Sequence, residues 1–243
     1  MEEKIISVSN LTFAYDSEAV LRELSFEVKP GESVAIIGAN GAGKSTLLQL
    51  LVGLWPKFQG SVNLFGKKLE KNNLPLIRKD LGFVFQDSDN QLFMNTVYDD
   101  IAFGPRNLGL SDALVKEKVV QALQEVGAEH LLDRAIYKLS GGEKKLVSLA
   151  TILAMEPQAI LFDEPTIALD PRNRRNFIRL LNKLVQTKII ATHDLDMALD
   201  ACERTILLAN GRIIKDGPTE KILYDKELLE AYGLELPLSL QKK

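Results

Sequence analysis

The chain has one cysteine, Cys202, so no internal disulfide framework can form. A stapled secreted scaffold is excluded, and a reducing compartment is the default expectation. Cys202 reads as a small buried hydrophobe. The apolar runs are short and broken by polar residues, too short to cross a bilayer. The chain therefore reads as soluble or peripheral. Basic excess is missing as well: 30 Lys and Arg face 33 Asp and Glu, a net charge of −3. That leaves no electrostatic footprint for nucleic acid. The first residues, Met1-Glu2-Glu3-Lys4, are charged and lead into a strand, which does not fit a signal peptide. No low-complexity segment or internal repeat is visible.

What is present is ordinary globular composition, 46% hydrophobic and 26% charged over 243 residues. The length allows one large domain, or a core with a subdomain. Gly38-Ala39-Asn40-Gly41-Ala42-Gly43-Lys44-Ser45-Thr46 fits the phosphate-binding pattern G-x-x-x-x-G-K-[ST]. Its context agrees. Ser33 to Ile37 reads as a buried strand, and Ser45 to Leu51 as an apolar helix. Glycines let backbone N–H groups curl around phosphate oxygens, and the helix adds its positive end. Lys44 would reach the outer phosphates, and the Ser45 hydroxyl would ligate Mg²⁺. The bland alternative is a glycine-rich turn with a chance lysine, and strand, loop and helix together argue against it.

Alternation predicts strands over Ile5–Val8, Leu11–Tyr15 and Leu24–Val28. Further strands are expected over Gly60–Gly66, Leu81–Phe85, Ala159–Phe162 and Lys188–Thr192. Thr205–Ala209 and Arg212–Ile214 read as a hairpin around Asn210-Gly211. From Thr96 to Leu132 the apolar period lengthens to that of a helix, which marks a helical insert. A helix opens at Leu139-Ser140-Gly141-Gly142, another follows Pro171, and short helices are expected over Thr219–Tyr232. Strands alternating with helices indicate an α/β fold with a mainly parallel sheet. An antiparallel β layer is expected from the alternation near both ends. Ligands should then sit beyond the carboxyl ends of the parallel strands, where Lys44, Asp163 and His193 converge.

Ile160-Leu161-Phe162-Asp163-Glu164 delivers two adjacent carboxylates from an apolar strand. Asp163 is suited to hold Mg²⁺, and Glu164 to polarise an attacking water beside a γ-phosphate. The pair is a weak signal alone and a strong one beside a phosphate loop. His193 follows the next apolar strand and can reach the same pocket, whereas His130 reads as a surface residue. Ser140 with Gly141 and Gly142 at a helix start makes a second anion site. One phosphate loop does not need two cradles, so a second copy would make sense of it. Tyr15 could stack on a base, and is as readily a core residue.

Together these motifs resemble the ATP-binding cassette (ABC) ATPases of membrane transporters, over nearly the whole chain. The resemblance rests on the phosphate loop, Gln86 as Q-loop, Leu139-Ser140-Gly141-Gly142-Glu143 as signature, and Asp163-Glu164 closing the Walker B strand. Ala168-Leu169-Asp170 matches the D-loop, His193 the switch histidine, and Tyr15 the adenine-stacking aromatic. It implies a P-loop NTPase core with a RecA-like sheet over residues 1–86 and 157–217. A helical subdomain would cover about 87–156, with a short helical tail over 218–243. It implies ATP and Mg²⁺ as cofactors. ATP would be held by Tyr15, Gly38, Asn40, Gly41, Ala42, Gly43, Lys44, Ser45 and Thr46, and in trans by Ser140, Gly141 and Gly142. Mg²⁺ would be held by Ser45, Gln86 and Asp163. Glu164, His193, Lys44 and Gln86 would be the catalytic set. Two copies would sandwich two ATPs head to tail, as a homodimer or a heterodimer.

Phe85 to Phe93, with Thr96-Val97, Ala102-Phe103-Gly104-Pro105 and Asn107 to Leu110, is similar to energy-coupling-factor importers, especially the cobalt/nickel type. That implies work at the cytoplasmic face of the cell membrane as a peripheral subunit. The partners would be an integral coupling protein and a substrate-binding membrane protein. Leu92, Phe93 and Met94 would line a groove for a partner's helix, or merely pack the insert. Glu143 stands where many relatives have Gln, Ile167 where most have a smaller residue, and Ala42 is a mild variation. None removes a catalytic group. A vitamin importer, a soluble cassette ATPase and a small-molecule kinase are the competing readings. Gln86 to Leu139 has room only for a compact subdomain, not a chromosome-type coiled coil. A kinase leaves the signature unexplained.

Overall fold

A computed structural model describes residues 4–241; residues 1–3, on which most of the charged start falls, and 242–243, the end of the expected tail, lie outside the described residues. The chain runs β1 (Ile6–Tyr15), β2 (Glu18–Val28), β3 (Ser33–Ile37), α1 (Lys44–Leu51), β4 (Gln59–Leu64), β5 (Lys67–Lys68), α2 (Leu74–Asp80) and β6 (Leu81–Val84). It continues through α3 (Val97–Asn107), α4 (Asp112–Val126), α5 (Gly141–Leu153), β7 (Ala159–Asp163), α6 (Pro171–Lys183), β8 (Thr187–Thr192) and α7 (Leu195–Ala201). It ends with β9 (Arg204–Ala209), β10 (Arg212–Pro218), α8 (Thr219–Leu223) and α9 (Lys226–Ala231).

Two sheets form. One is antiparallel, in the order β2-β1-β4-β5; the other runs β10-β9-β3-β8-β7-β6. In the second sheet only β10 is antiparallel to its neighbour. Every residue of β3, β7 and β8 is buried, as expected of parallel strands covered on both faces. The period of two divides β3 cleanly. Val34 and Ile36 face α1 and the antiparallel sheet, while Ala35 and Ile37 face the opposite core, which holds the helical segments. The phosphate loop leaves the carboxyl end of this central strand.

Helix ends follow the sequence closely. Thr96 and Ser111 cap α3 and α4 by accepting the Asp99 and Leu114 N–H groups. Gly127, at φ +67°, closes α4 in the left-handed region. Of the α4 residues Leu114, Val115, Val119, Val120 and Leu123, whose spacing suggests one apolar face, Val115, Val119 and Leu123 are buried, while Val120 is half-buried and Leu114 is exposed.

Some expectations need correction. Ile5–Val8 and Leu11–Tyr15 are not separate strands but one strand, β1, with register shifts after Val8 where Asn10 takes φ +49°. Helices α2 and α7 form where none was expected. Leu92 is buried, so it lines no exposed groove; Phe93 is 64% exposed. No helix among the described residues is long and apolar enough to cross a membrane.

Candidate functional site

The phosphate loop wraps the start of α1. Gly43 is the N-cap residue at φ +103°, and a Cβ there would lie 2.8 Å from Leu21 Cδ2. Only glycine fits both constraints. Lys44 is buried, and its Nζ donates to Gly38 O at 2.7 Å and Ala39 O at 3.2 Å. Burial pushes its pKa down, and the charges of Glu164 and Asp163 oppose that shift. The Ser45 hydroxyl donates to Asp163 Oδ1 at 2.8 Å, across from α1 to the end of β7. Burial raises the Asp163 pKa, against the Ser45 hydrogen bond and the nearby lysines.

Glu164 sits one residue past β7 at φ +45°, a conformation that is strained for glutamate. Its N–H donates to Ala191 O at 2.9 Å, which anchors the turn to β8. Its Oε2 accepts from Thr192 Oγ1 at 3.3 Å and His193 N at 3.2 Å, and lies 2.8 Å from His193 Nδ1. With Nδ1 as the donor to this carboxylate, Nε2 is left to face outward. A cavity of about 510 Å³ joins Asn40 to Thr46 with Gln86, Glu164, His193, Val20 and Ile167. Of the expected residues, Asn40 to Thr46, Gln86, Glu164 and His193 line it, whereas Gly38 and Asp163 do not, each bonding instead to a lining side chain, Lys44 and Ser45.

Other expected residues lie elsewhere. Tyr15 is not among the cavity's lining residues; its hydroxyl donates to Thr46 Oγ1 at 3.4 Å, and its ring meets Phe13 and Trp55 edge-on. Ser140, Gly141 and Gly142 do not line the cavity either. Ser140 forms a capping box at the start of α5. The Glu143 carboxylate accepts the Ser140 N–H and O–H, each at 2.7 Å, and these bonds hold its pKa down. Gly142 packs against Asn173 of α6: a Cβ there would meet Asn173 Nδ2 at 2.8 Å. Asp170 caps α6 by accepting the Arg172 and Asn173 N–H groups. His130 is exposed.

Two supporting residues were missed. Asp194 caps α7 and takes the Arg174 guanidinium on both oxygens, at 2.6 and 2.7 Å. An aspartate directly before an apolar helical run is a capping signal that could have been read. Lys145, buried in α5, donates to Phe85 O at 3.1 Å and Gln86 O at 2.8 Å. Burial pushes its pKa to about 8, opposed by the charges of Asp87 and Asp163. Nothing in its local pattern separates it from the half-buried Lys144 beside it, which pairs with Asp89.

Strand, phosphate loop and carboxylate turn define a P-loop nucleotide-binding protein. The family described as ABC transporter matches residues 21–167. A putative ABC transporter ATP-binding protein of Geobacter sulfurreducens is 49% identical over 242 residues, covering 99% of this chain and 97% of that one. An energy-coupling factor transporter ATP-binding protein of Carboxydothermus hydrogenoformans is 42% identical, covering 96% of this chain and 87% of that one. Among solved structures, CbiO1 of Clostridium perfringens, described as part of the ABC transporter complex CbiONQ, superposes with a TM-score of 0.85. It is 36% identical and covers 95% of this chain and 94% of its own. The chain belongs to the ABC transporter family, as an ATP-binding subunit whose ATP hydrolysis is coupled to transport.

Proposed function

We propose that the chain energises an energy-coupling-factor importer of a metal cation, cobalt or nickel, from the cytoplasmic face of the membrane. Support comes from the relatives of that name and from Phe93 and Phe103, an exposed edge-to-face pair at 4.9 Å that follows the Q-loop segment. Aromatic faces left open in this way suit a coupling protein's apolar helix. That exposed pair is the observation that carries the reading.

In this reading Lys44 and the loop amides hold the β- and γ-phosphates, and Tyr15 borders the adenine. The oxygen donors Ser45 and Asp163, already 2.8 Å apart, fit Mg²⁺, with Gln86 completing the set. When bound, the ion neutralises charge on the phosphate oxygens. Glu164 takes a proton from the attacking water. The new bond forms at the γ-phosphorus, the bond to the β–γ bridging oxygen breaks, and ADP and phosphate leave. His193 holds Glu164 and the water in line. Ser140, Gly141 and Gly142 serve the γ-phosphate of a second copy, which accounts for their place outside this chain's own cavity. A homodimer then has two competent sites.

The test is to express the tagged chain in its native membrane and identify what purifies with it. A small membrane-spanning coupling protein and a separate substrate-binding membrane protein carrying cobalt or nickel are expected. A soluble partner, or nucleic acid, would overturn the importer reading. A bound vitamin would overturn the metal assignment alone.

A further inference from the structure

Lys145 is 3% exposed, yet its two hydrogen-bond partners are main-chain carbonyls, Phe85 O and Gln86 O. Burying an ammonium group is costly, and a helix that needed only packing would carry an apolar side chain there. The carbonyls it holds belong to the segment that brings Gln86 into the nucleotide cavity. The grip is reinforced along α5. Gln91 Nε2 donates to Ser148 O at 2.7 Å, while Gln91 Oε1 accepts the Phe85 N–H at 3.2 Å. Lys144 Nζ pairs with Asp89 Oδ1 at 2.5 Å on the exposed side. Both main-chain polar groups of Phe85 are therefore taken by α5 or by a side chain that α5 holds. That helix begins at the signature glycines.

We propose that Lys145 is a positioning residue for Gln86, tying the Q-loop to the signature helix so that the two move as one body. The proposal rests on the ATPase reading above. Lys145 touches neither substrate nor Mg²⁺ in it. Its ammonium fixes the peptide from which the Gln86 side chain projects, while ATP affinity is left to the phosphate loop.

Steady-state ATP hydrolysis and ATP binding by calorimetry are measured on the full chain for wild type, K145M, K145R, Q86A and the double variant K145M/Q86A. Misplacing a catalytic group by about 1 Å can cost about a hundredfold, so K145M is expected to lower kcat about tenfold or more. Its ATP Kd is expected to stay within about threefold of wild type, because the phosphate-loop contacts are untouched. K145R, which keeps a cationic donor, recovers most of kcat. In the Q86A background the K145M change is expected to cost less than about twofold, since coupled residues are not additive. An equal loss in both backgrounds, or wild-type kcat in K145M, overturns the proposal. If K145M does not fold by its thermal melt, K145Q takes its place in the same cycle. An inactive wild-type chain would instead refute the ATPase reading, which separates the two failures.

Discussion

Replacing Asp194 with alanine removes the cap of α7 and the fork holding Arg174, along with the acceptor of the Thr166 hydroxyl. The cap is worth about 1 kcal/mol. Breaking a fully buried ion pair costs about 3–5 kcal/mol, and an exposed one up to about 1. The Arg174 and Asp194 side chains are 26% and 22% exposed, so this pair falls between, at about 2 kcal/mol. Together the loss is about 3 kcal/mol. For a chain of this size that lowers Tm by roughly 6–12 °C. Asn at this position keeps the cap and loses the charge, so D194N is expected to fall by roughly 4–8 °C. The pH dependence has a definite sign. Burial raises the Asp194 pKa, but the Arg174 guanidinium and the Met197 N–H outweigh it and hold the carboxyl below its ordinary value. Its stabilisation is therefore present above about pH 4, the unfolded value, and is lost as pH falls through the folded value. The Tm gap between wild type and D194N, read by calorimetry, should narrow on acidification from neutral pH towards about pH 3. A D194A Tm within about 2 °C of wild type at neutral pH would refute the reasoning.

Lys44→Ala is expected to weaken ATP binding at least tenfold, since charge-assisted hydrogen bonds are worth about 1.5–3 kcal/mol. Unchanged nucleotide binding by calorimetry would remove Lys44 from the phosphate site. Cys202 is buried, with its thiol pushed up to about 12. A thiol reagent at pH 8 is expected to leave the folded chain unlabelled and to label it once unfolded, because the thiolate is the nucleophile. Rapid labelling of the folded chain would contradict that burial.

The parallel core was legible because β3 and β8 are short apolar runs leading to Lys44 and His193 and β7 is one that ends in Asp163, and such strands bury both faces whatever their neighbours. The signature helix was legible from its capping residues. The joining of Ile5–Val8 to Leu11–Tyr15 was not, because Asn10 reads locally as a break, and only pairing with β2 and β4 carries the strand through it. Leu92 is a similar case. Its neighbours Phe93 and Met94 suggest an exposed apolar run, and the packing of the helical segments decides which one turns inward. Glu164 was legible as a base candidate, but its positive φ was not. That conformation follows from the Glu164 N–H reaching Ala191 O on the adjacent strand. Lys145 was illegible for the same reason: its partners, Phe85 and Gln86, lie far off in sequence.

The central claim is that Glu164 drives ATP hydrolysis at a site that a second copy completes. The most direct measurement is on Glu164→Gln, with turnover and molecular mass in solution read side by side at saturating ATP and Mg²⁺. Removing a general base lowers the rate by about 10²–10⁴-fold, so turnover should nearly vanish while the chain accumulates as an ATP-bound dimer. A variant that stays monomeric, or that hydrolyses ATP within about threefold of wild type, would contradict the account.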